Sequence, residues 1–317
     1  MILGRLREHR DSSSLAGVLV KGGLVVVKAA KLLLALASFA AYALLFTWQF
    51  AVIIIGMLVI HECGHLRCMK HYGMKTRGIY LIPLLGAAAV AEDSFPSRRA
   101  EATIALAGPL TGAVLAAGTG LLYFATRNGA FAAAAAWMAL VNLFNLLPVV
   151  PLDGGRVVKS ITLSIGSRTG LAAVIAGMLL GAVLAFTADL WIFVIVIPLG
   201  LLDYLVDRHQ TGQAGRARRR ARQQAGRHAR VAVGNTPAVR ASGHEPARGL
   251  PGDSEHGNED NAGQTGAHIP AGKPPLSPRA AQAAFASYAA LAILLWLFML
   301  AMGHQPGAVA AMHALQG

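Results

Sequence analysis

The sequence is poor in charged residues and in cysteine, and both shortages exclude classes of protein. Charged residues make up only 14% of the 317 positions, whereas hydrophobic residues make up 55%. A chain of this length cannot hide so much apolar surface inside a water-soluble core, which excludes a simple soluble enzyme and a fibrous chain. The two cysteines, Cys63 and Cys68, lie in one segment, so a disulfide framework is excluded as well.

Acidic residues are also scarce, with 15 Asp and Glu against 28 Lys and Arg. The apolar residues occur in blocks of about 20, the length that a membrane-spanning helix requires. The stretch 32–60 carries no charged residue. As one helix it would measure about 43 Å, against a hydrocarbon core of about 30 Å, so it predicts parts of two spans. We predict seven spans in all, at 24–46, 49–69, 103–124, 131–147, 170–187, 190–206 and 282–302.

A shorter apolar segment at 78–91 is interrupted by Gly and Pro and cannot cross a bilayer. It predicts a small re-entrant β-hairpin. The expected fold class is therefore an all-α polytopic membrane protein with about seven transmembrane helices and this hairpin. The expected organisation is a cytoplasmic N-terminal arm at 1–23, a six-span core at 24–206, a disordered basic linker at 207–281, a C-terminal span at 282–302 and a tail at 303–317.

The basic residues predict the orientation in the membrane. With the N-terminus in the cytoplasm, every basic cluster falls on the cytoplasmic side, including eight arginines and no acid within 208–230. We expect a multi-pass plasma-membrane protein, and contacts of Arg216–Arg230 with anionic lipid. Nucleic-acid binding is disfavoured because no aromatic residues are interleaved with these arginines. Residues 1–37 are interpreted as an uncleaved anchor, since the apolar run continues past any cleavage site.

The second predicted span ends in His61-Glu62-Cys63-Gly64-His65, an HExxH pattern. Two histidines four residues apart lie on one face of a helix and can bind the same metal ion. Glu62 then lies beside the ion, where it can take a proton from a bound water. Ionisable side chains at membrane depth are expensive, which favours a functional site over coincidence. Cys63 lies on another helix face, so both cysteines are interpreted as small buried residues.

A catalytic zinc ion needs a third protein ligand. Asp153 is the only acidic residue between Glu101 and Asp189, and it follows the broken end of the fourth predicted span. Pro148 and Pro151 are expected to break that helix, and the glycines after Asp153 to allow a sharp turn. The alternative role for Asp153 is the N-cap of a following helix. Further back, Gly108 and Gly112 are spaced for close helix packing.

The HECGH segment and the later N-x-x-P-x-x-P-L-D-G-G segment together resemble the site-2 protease family of intramembrane zinc metalloproteases. The resemblance covers roughly 45–165, including the hairpin, which it places near the active site, and Ala107-Gly108-Pro109. It implies that His61, His65 and Asp153 bind one zinc ion, that Glu62 is the catalytic base, and that Asn145 helps to hold the substrate or the oxyanion. An asparagine often found just after the Gly-Pro motif is absent here, where Thr111-Gly112 stands instead.

The resemblance implies hydrolysis of a peptide bond in or near a transmembrane segment of another membrane protein, as in regulated intramembrane proteolysis. The substrate helix must unwind before it is cut, and the 79–90 segment could offer a strand edge to its freed backbone groups. Two other interpretations use the same residues. One is a membrane protein that binds or transports metal, which does not need Glu62 as a base. The other is a non-catalytic scaffold that acts through its arginine-rich segment.

Overall fold

A computed structural model describes residues 25–84, 86–187, 192–209, 216, 220, 223 and 273–316. The chain divides into two units, Met1–Tyr204 with Pro274–Gly317 and Leu205–Lys273. In the second unit, residues 205–209 are helical and Lys273 Nζ lies 3.1 Å from Asp207 Oδ1. The predicted arm at 1–23 and most of the predicted linker at 207–281, with most of its arginines, lie outside the described residues and stay predictions.

The first unit is mostly helical. Its described helices are α1 (Val25–Leu45), α2 (Trp48–His71), α3 (Arg98–Thr126), α4 (Gly129–Asn145), α5 (Asp153–Ile165), α6 (Ser167–Thr187), α7 (193–204, the part of the 193–209 helix that belongs to this unit), α8 (Pro278–Gly303) and α9 (Ala308–Gln316). Within the described part of the chain, α1, α2, α3, α6 and α8 are long and apolar enough to cross a membrane. The protein is therefore a multi-pass membrane protein. Each predicted span overlaps a helix, but α4 and α7 are shorter, so the count of seven is not confirmed.

Capping residues and prolines set the helix boundaries. Thr47 accepts a hydrogen bond from Phe50 N at 3.3 Å and so divides the long apolar run into α1 and α2. Ser97 caps α3 in the same way, through Ala100 N at 3.0 Å. The helix α4 ends at Asn145, before the proline-containing segment, as the sequence predicts.

The predicted hairpin is present as two antiparallel strands, β1 (Thr76–Ile82) and β2 (Gly86–Ala91). Ile79 lies opposite Ala89, which fixes the register. Leu84 in the turn has a φ of 63°, a left-handed conformation that is unfavourable for a bulky side chain. The hairpin packs against α2, and this places β2 beside the HExxH segment.

Small residues let the central helices approach closely. On α4 the five alanines at 132–136 are all buried, and Ala132, Ala135 and Ala136 pack against residues of α3, α8 and α9. The helix α8 also holds the loop after α4, because Tyr288 Oη donates to Leu146 O at 2.7 Å. The predicted tail contains α9, where Leu315 O accepts a hydrogen bond from Thr47 Oγ1 at 2.7 Å. The C-terminal segment is thus part of the packed helical unit.

A buried group of charges joins α3, α5 and α7. Glu101 lies 3.0 Å from Arg98 and 3.2 Å from Lys159, and Lys159 Nζ lies 2.5 Å from Asp203 Oδ2. The side chains of Glu101 and Lys159 are each only 2% exposed. Removing one partner from a buried pair leaves an uncompensated charge, which is strongly destabilising. These contacts fix α5, the helix that begins at Asp153.

We expect Lys159→Met to destabilise the protein by about 3 kcal/mol, because it leaves the buried Glu101 with less compensating charge. Thermal unfolding in detergent measures this loss. The matched control is Arg77→Met, which removes a cation from an exposed pair with Glu92 at 3.6 Å. An exposed pair contributes at most about 1 kcal/mol. Equal effects of the two substitutions would contradict the structural importance of the buried group.

Candidate functional site

The helix α2 carries the HExxH segment into the interior of the molecule. His61 and His65 are one helical turn apart and face α3, with relative exposures of 1% and 6%. Glu62 lies beside them and is also buried. The spacing therefore places all three side chains where the sequence predicts, on the packed side of a membrane-spanning helix.

Glycines create the space for the imidazole rings. A Cβ at Gly108 would overlap the rings of His65 and His61, and a Cβ at Gly64 would overlap Thr111 and the Ala107 carbonyl. The helices α2 and α3 can therefore approach this closely only because glycine leaves no side chain between them at these positions. This confirms the close packing predicted from the spacing on α3, and it brings that helix directly over the histidines.

Asp153 completes a group of three side chains. Its Oδ2 lies 3.0 Å from His61 Nε2 and 3.2 Å from His65 Nε2, and the two Nε2 atoms are 3.1 Å apart. Asp153 is the first residue of α5, and Leu152 occupies the N-cap position without a side-chain hydrogen bond. The capping alternative is therefore not what the structure shows, because the carboxylate points at the histidines.

The two glycines after Asp153 act differently from the sequence-based expectation. Gly154 and Gly155 do not form a turn, since both lie in the first turn of α5. A Cβ at either position would overlap the backbone of 146–150. Their role is to let α5 lie directly against the segment that follows α4, which brings Asp153 within reach of the histidines.

Hydrogen bonds on the far side of each ring determine where its proton lies. His65 Nδ1 donates to Ile104 O at 2.7 Å. His61 Nδ1 donates to Asn142 Oδ1 at 3.0 Å, and Asn142 Nδ2 donates to Met138 O at 2.9 Å, which identifies Oδ1 as the acceptor. Each ring therefore carries a proton on Nδ1 and turns its Nε2 toward Asp153, where Nε2 either binds a cation or carries a second proton.

The Asp153 carboxylate is ionised beside these rings. Burial by itself opposes its ionisation, but positive charge on His65 and His61 and hydrogen bonds from both rings outweigh that effect and lower the pKa of Asp153 below its usual value. A carboxylate oxygen and two imidazole lone pairs at such short distances repel one another unless a cation or protons lie between them. The group therefore needs positive charge between these atoms, which a metal ion or protons on the imidazoles would supply.

The donor set fits a zinc ion. Of the described residues, only His61, His65 and Asp153 form a group of three His, Cys, Asp or Glu side chains able to hold a metal. Two imidazole nitrogens and a carboxylate are ordinary zinc ligands. Bonds of about 2.0–2.2 Å in a tetrahedral arrangement would give ligand–ligand edges of roughly 3.3–3.6 Å. The observed separations of 3.0–3.2 Å are close to those edges.

Glu62 faces the hairpin as well as the histidines. Its Oε2 accepts a hydrogen bond from Ala89 N of β2 at 2.6 Å. Asn145, at the end of α4, is not part of the three-residue group but lines the same cavity as Glu62. The structure thus brings four of the predicted site residues into one centre and places Asn145 beside it.

Sequence reasoning missed Asn142 and partly misjudged the cysteines. Asn142 is fully buried, and its amide fills the space in front of Gly112, where a Cβ would overlap it. The only signal in the sequence was a second amide side chain one turn before Asn145 in an otherwise apolar helix.

Cys63 is exposed and Cys68 is partly exposed, so the expectation of two buried cysteines is wrong.

Residues 49–129 match the family model of peptidase family M50, which is the site-2 protease family. This confirms the resemblance seen in the sequence. The matched segment contains the HExxH helix, the hairpin and the Gly-Pro segment of α3, but it ends before Asp153. The position of Asp153 in the site therefore rests on the geometry.

Three relatives carry the name zinc metalloprotease. MJ0392 of Methanocaldococcus jannaschii is 33% identical over 118 residues, covering 35% of this chain and 33% of that protein. Rip3 of Mycobacterium tuberculosis is 33% identical over 145 residues, covering 42% and 37%. The protein sll0528 of Synechocystis is 30% identical over 165 residues, covering 49% and 40%. The chain thus spans about a third to two fifths of the length of these relatives.

We expect Asn142→Ala to weaken zinc binding by about 10–100-fold, because His61 Nδ1 loses the acceptor that orients its ring. Competition with a chromophoric chelator measures the affinity. Asn128→Ala is the matched control, since Asn128 caps the same helix, is exposed and contacts Ala130 rather than a histidine. Unchanged zinc affinity in Asn142→Ala would show that its hydrogen bond does not position His61.

Proposed function

Because residues 49–129 match peptidase family M50, we propose that this chain is an intramembrane zinc metalloprotease that cuts membrane proteins. The bond cut would lie in or near a transmembrane segment of the substrate. The observation that carries the proposal is the convergence of His61, His65 and Asp153 next to Glu62. Hydrolysis requires a carboxylate beside the metal site, whereas simple metal storage does not require one. Glu62 places such a carboxylate on a spanning helix.

In this proposal His61, His65 and Asp153 hold one zinc ion. When bound, zinc supplies the Lewis acidity that activates a water molecule and polarises the scissile carbonyl. Zinc binding requires both Nε2 atoms to be deprotonated, and the Nδ1 hydrogen bonds to Ile104 O and Asn142 Oδ1 keep the remaining proton on the far side of each ring. Both rings would then direct a lone pair at the ion.

Glu62 is proposed as the general base. Its Oε2 is engaged by Ala89 N, which fixes the carboxylate and leaves Oε1 to take the proton of the attacking water. The same oxygen then passes the proton to the leaving amine. Asn145 lines the cavity beside Glu62, from where its amide could hold the substrate backbone or the developing negative charge.

The hairpin is proposed to receive the unwound substrate. A helix that is opened for cleavage exposes backbone N–H and C=O groups, and these need partners inside a membrane. The strand β2 lies against Glu62 through Ala89 and pairs with β1 on its other side. A substrate strand that adds to the hairpin edge near Glu62 would satisfy its own backbone groups close to the catalytic residues.

The remaining proposals concern location and partners. We propose that the protein lies in the plasma membrane with its N-terminus and active site toward the cytoplasm, as the distribution of basic residues indicates. The partners proposed are a transmembrane protein substrate and, through Arg216–Arg230, anionic lipid. The distribution of basic residues supports the orientation and the lipid contact, and the match to peptidase family M50 supports a membrane-protein substrate.

We expect Glu62→Gln to abolish proteolysis while the protein still binds zinc, because the change removes the base but no metal ligand. Comparing membrane proteomes of cells that carry the wild type or the variant should reveal uncut substrates that accumulate in the variant. The zinc content of both purified proteins is measured by mass spectrometry. Glu92→Gln is the control, since Glu92 is an exposed hairpin glutamate paired with Arg77.

Two results would contradict the proposal. Identical membrane proteomes for Glu62→Gln and wild type would exclude Glu62 as a required base. Zinc flux into proteoliposomes that does not depend on Glu62 would instead support a metal transporter.

A further inference from the structure

A cavity of about 290 Å³ lies next to Glu62, and the chemistry above does not account for it. Its walls come from α1, α2, the hairpin turn, α4 and residues 192–196. It is therefore formed by segments far apart in the sequence, and it exists only because these segments pack around one space.

One end of this cavity belongs to the proposed catalytic centre. Glu62 and Asn145 both line it, and so does Leu152, the residue before Asp153. A substrate whose peptide bond is held at Glu62 would thus have a neighbouring side chain at the cavity entrance. The cavity and the proposed catalytic centre therefore share Glu62 and Asn145.

The body of the cavity is apolar and aromatic. Five aromatic residues contribute to its wall, namely Tyr42, Phe46, Phe50, Trp137 and Phe144. The rings of Phe46 and Phe50 are 4.6 Å apart, and Phe50 meets Trp137 edge to face at 5.1 Å. Phe50 is only 4% exposed. Rings packed in this way form a wall of fixed shape.

The hairpin turn supplies another part of the wall. Leu84 lines the cavity in its left-handed conformation and is half exposed. An unfavourable backbone conformation of this kind persists only where the surroundings hold it, and such positions often lie at functional sites. The strained residue is thus found where a substrate would enter.

We propose that this aromatic cavity binds the substrate side chain next to the scissile bond and selects a large apolar or aromatic one. This inference rests on the proposed proteolytic function. A substrate unwound at a centre that contains water exposes its apolar side chains, and burying one of them in the cavity is favourable. A small side chain would leave the cavity partly empty, and a charged one would lose its hydration without a partner.

Two neighbouring residues of α4 provide a matched test. Val141 lines this cavity, whereas Leu140 is 41% exposed and lies outside it. Val141→Phe adds a ring to the cavity, and Leu140→Phe adds the same ring elsewhere on the helix. The probes are two synthetic peptide hydroxamates that differ only in carrying phenylalanine or alanine at the position next to the hydroxamate.

The experiment measures hydroxamate affinity for the zinc-loaded full-length protein in lipid nanodiscs. We expect the wild type and Leu140→Phe to bind the phenylalanine probe at least about tenfold more tightly than the alanine probe. Val141→Phe should lose this preference while its zinc content and its affinity for the alanine probe stay unchanged. If Val141→Phe does not fold, Val141→Ala replaces it and should shift the preference toward a larger naphthyl side chain.

The possible results separate this inference from the proposed function. Equal binding of the two probes by the wild type, or a preference that survives Val141→Phe, would overturn the assignment of the cavity and leave the metal centre intact. If neither hydroxamate binds to zinc-loaded protein, the proposed function fails and the cavity assignment fails with it.

Discussion

Three potential metal-ligating atoms lie within 3.2 Å of one another in a buried part of this membrane protein. They are His61 Nε2, His65 Nε2 and Asp153 Oδ2. Such a group is unfavourable unless a cation or protons lie between its atoms, so the surrounding structure must hold it together. It does so by bringing backbones into contact at glycines. Gly108 makes room for the imidazoles, and Gly154 lets α5 lie against the end of α4.

The outer contacts of this group connect it to the rest of the fold. Ile104 O and the Asn142 amide fix the two rings, so that α3 and α4 each orient one ligand carried by α2. The third ligand depends on the position of α5, which the buried contact between Lys159 and Glu101 ties to α3. A change in any of these helices is therefore transmitted to the metal site through contacts that have little freedom to adjust.

The sequence predicted the parts of this structure that depend on local spacing. The HExxH pattern placed two histidines on one helix face, and the apolar segment interrupted by Gly and Pro predicted the hairpin. Asp153 was expected to be the third ligand because it is the only acidic residue between Glu101 and Asp189 and follows the broken end of the fourth predicted span. The structure brings these residues together, and the fold class is confirmed apart from the exact number of spans.

The features that sequence reasoning missed depend on how separate helices are rotated against one another. Asn142 contacts His61 only because α4 turns that face toward α2. The helix α5 was considered only as the alternative in which Asp153 caps a following helix, since its start is hidden in a segment rich in Pro and Gly. Gly154 and Gly155 suggested a turn, but close packing against the preceding loop makes them helical. Tertiary packing decides each of these outcomes.

The central claim is that two imidazoles and one carboxylate bind a single zinc ion. X-ray absorption spectroscopy at the zinc edge of the purified protein tests this most directly. The account predicts one zinc ion per chain with two histidine nitrogens and oxygen ligands at about 2.0–2.2 Å, and a change in the spectrum for Asp153→Ala. A spectrum with sulfur at about 2.3 Å, or one that Asp153→Ala leaves unchanged, would contradict it.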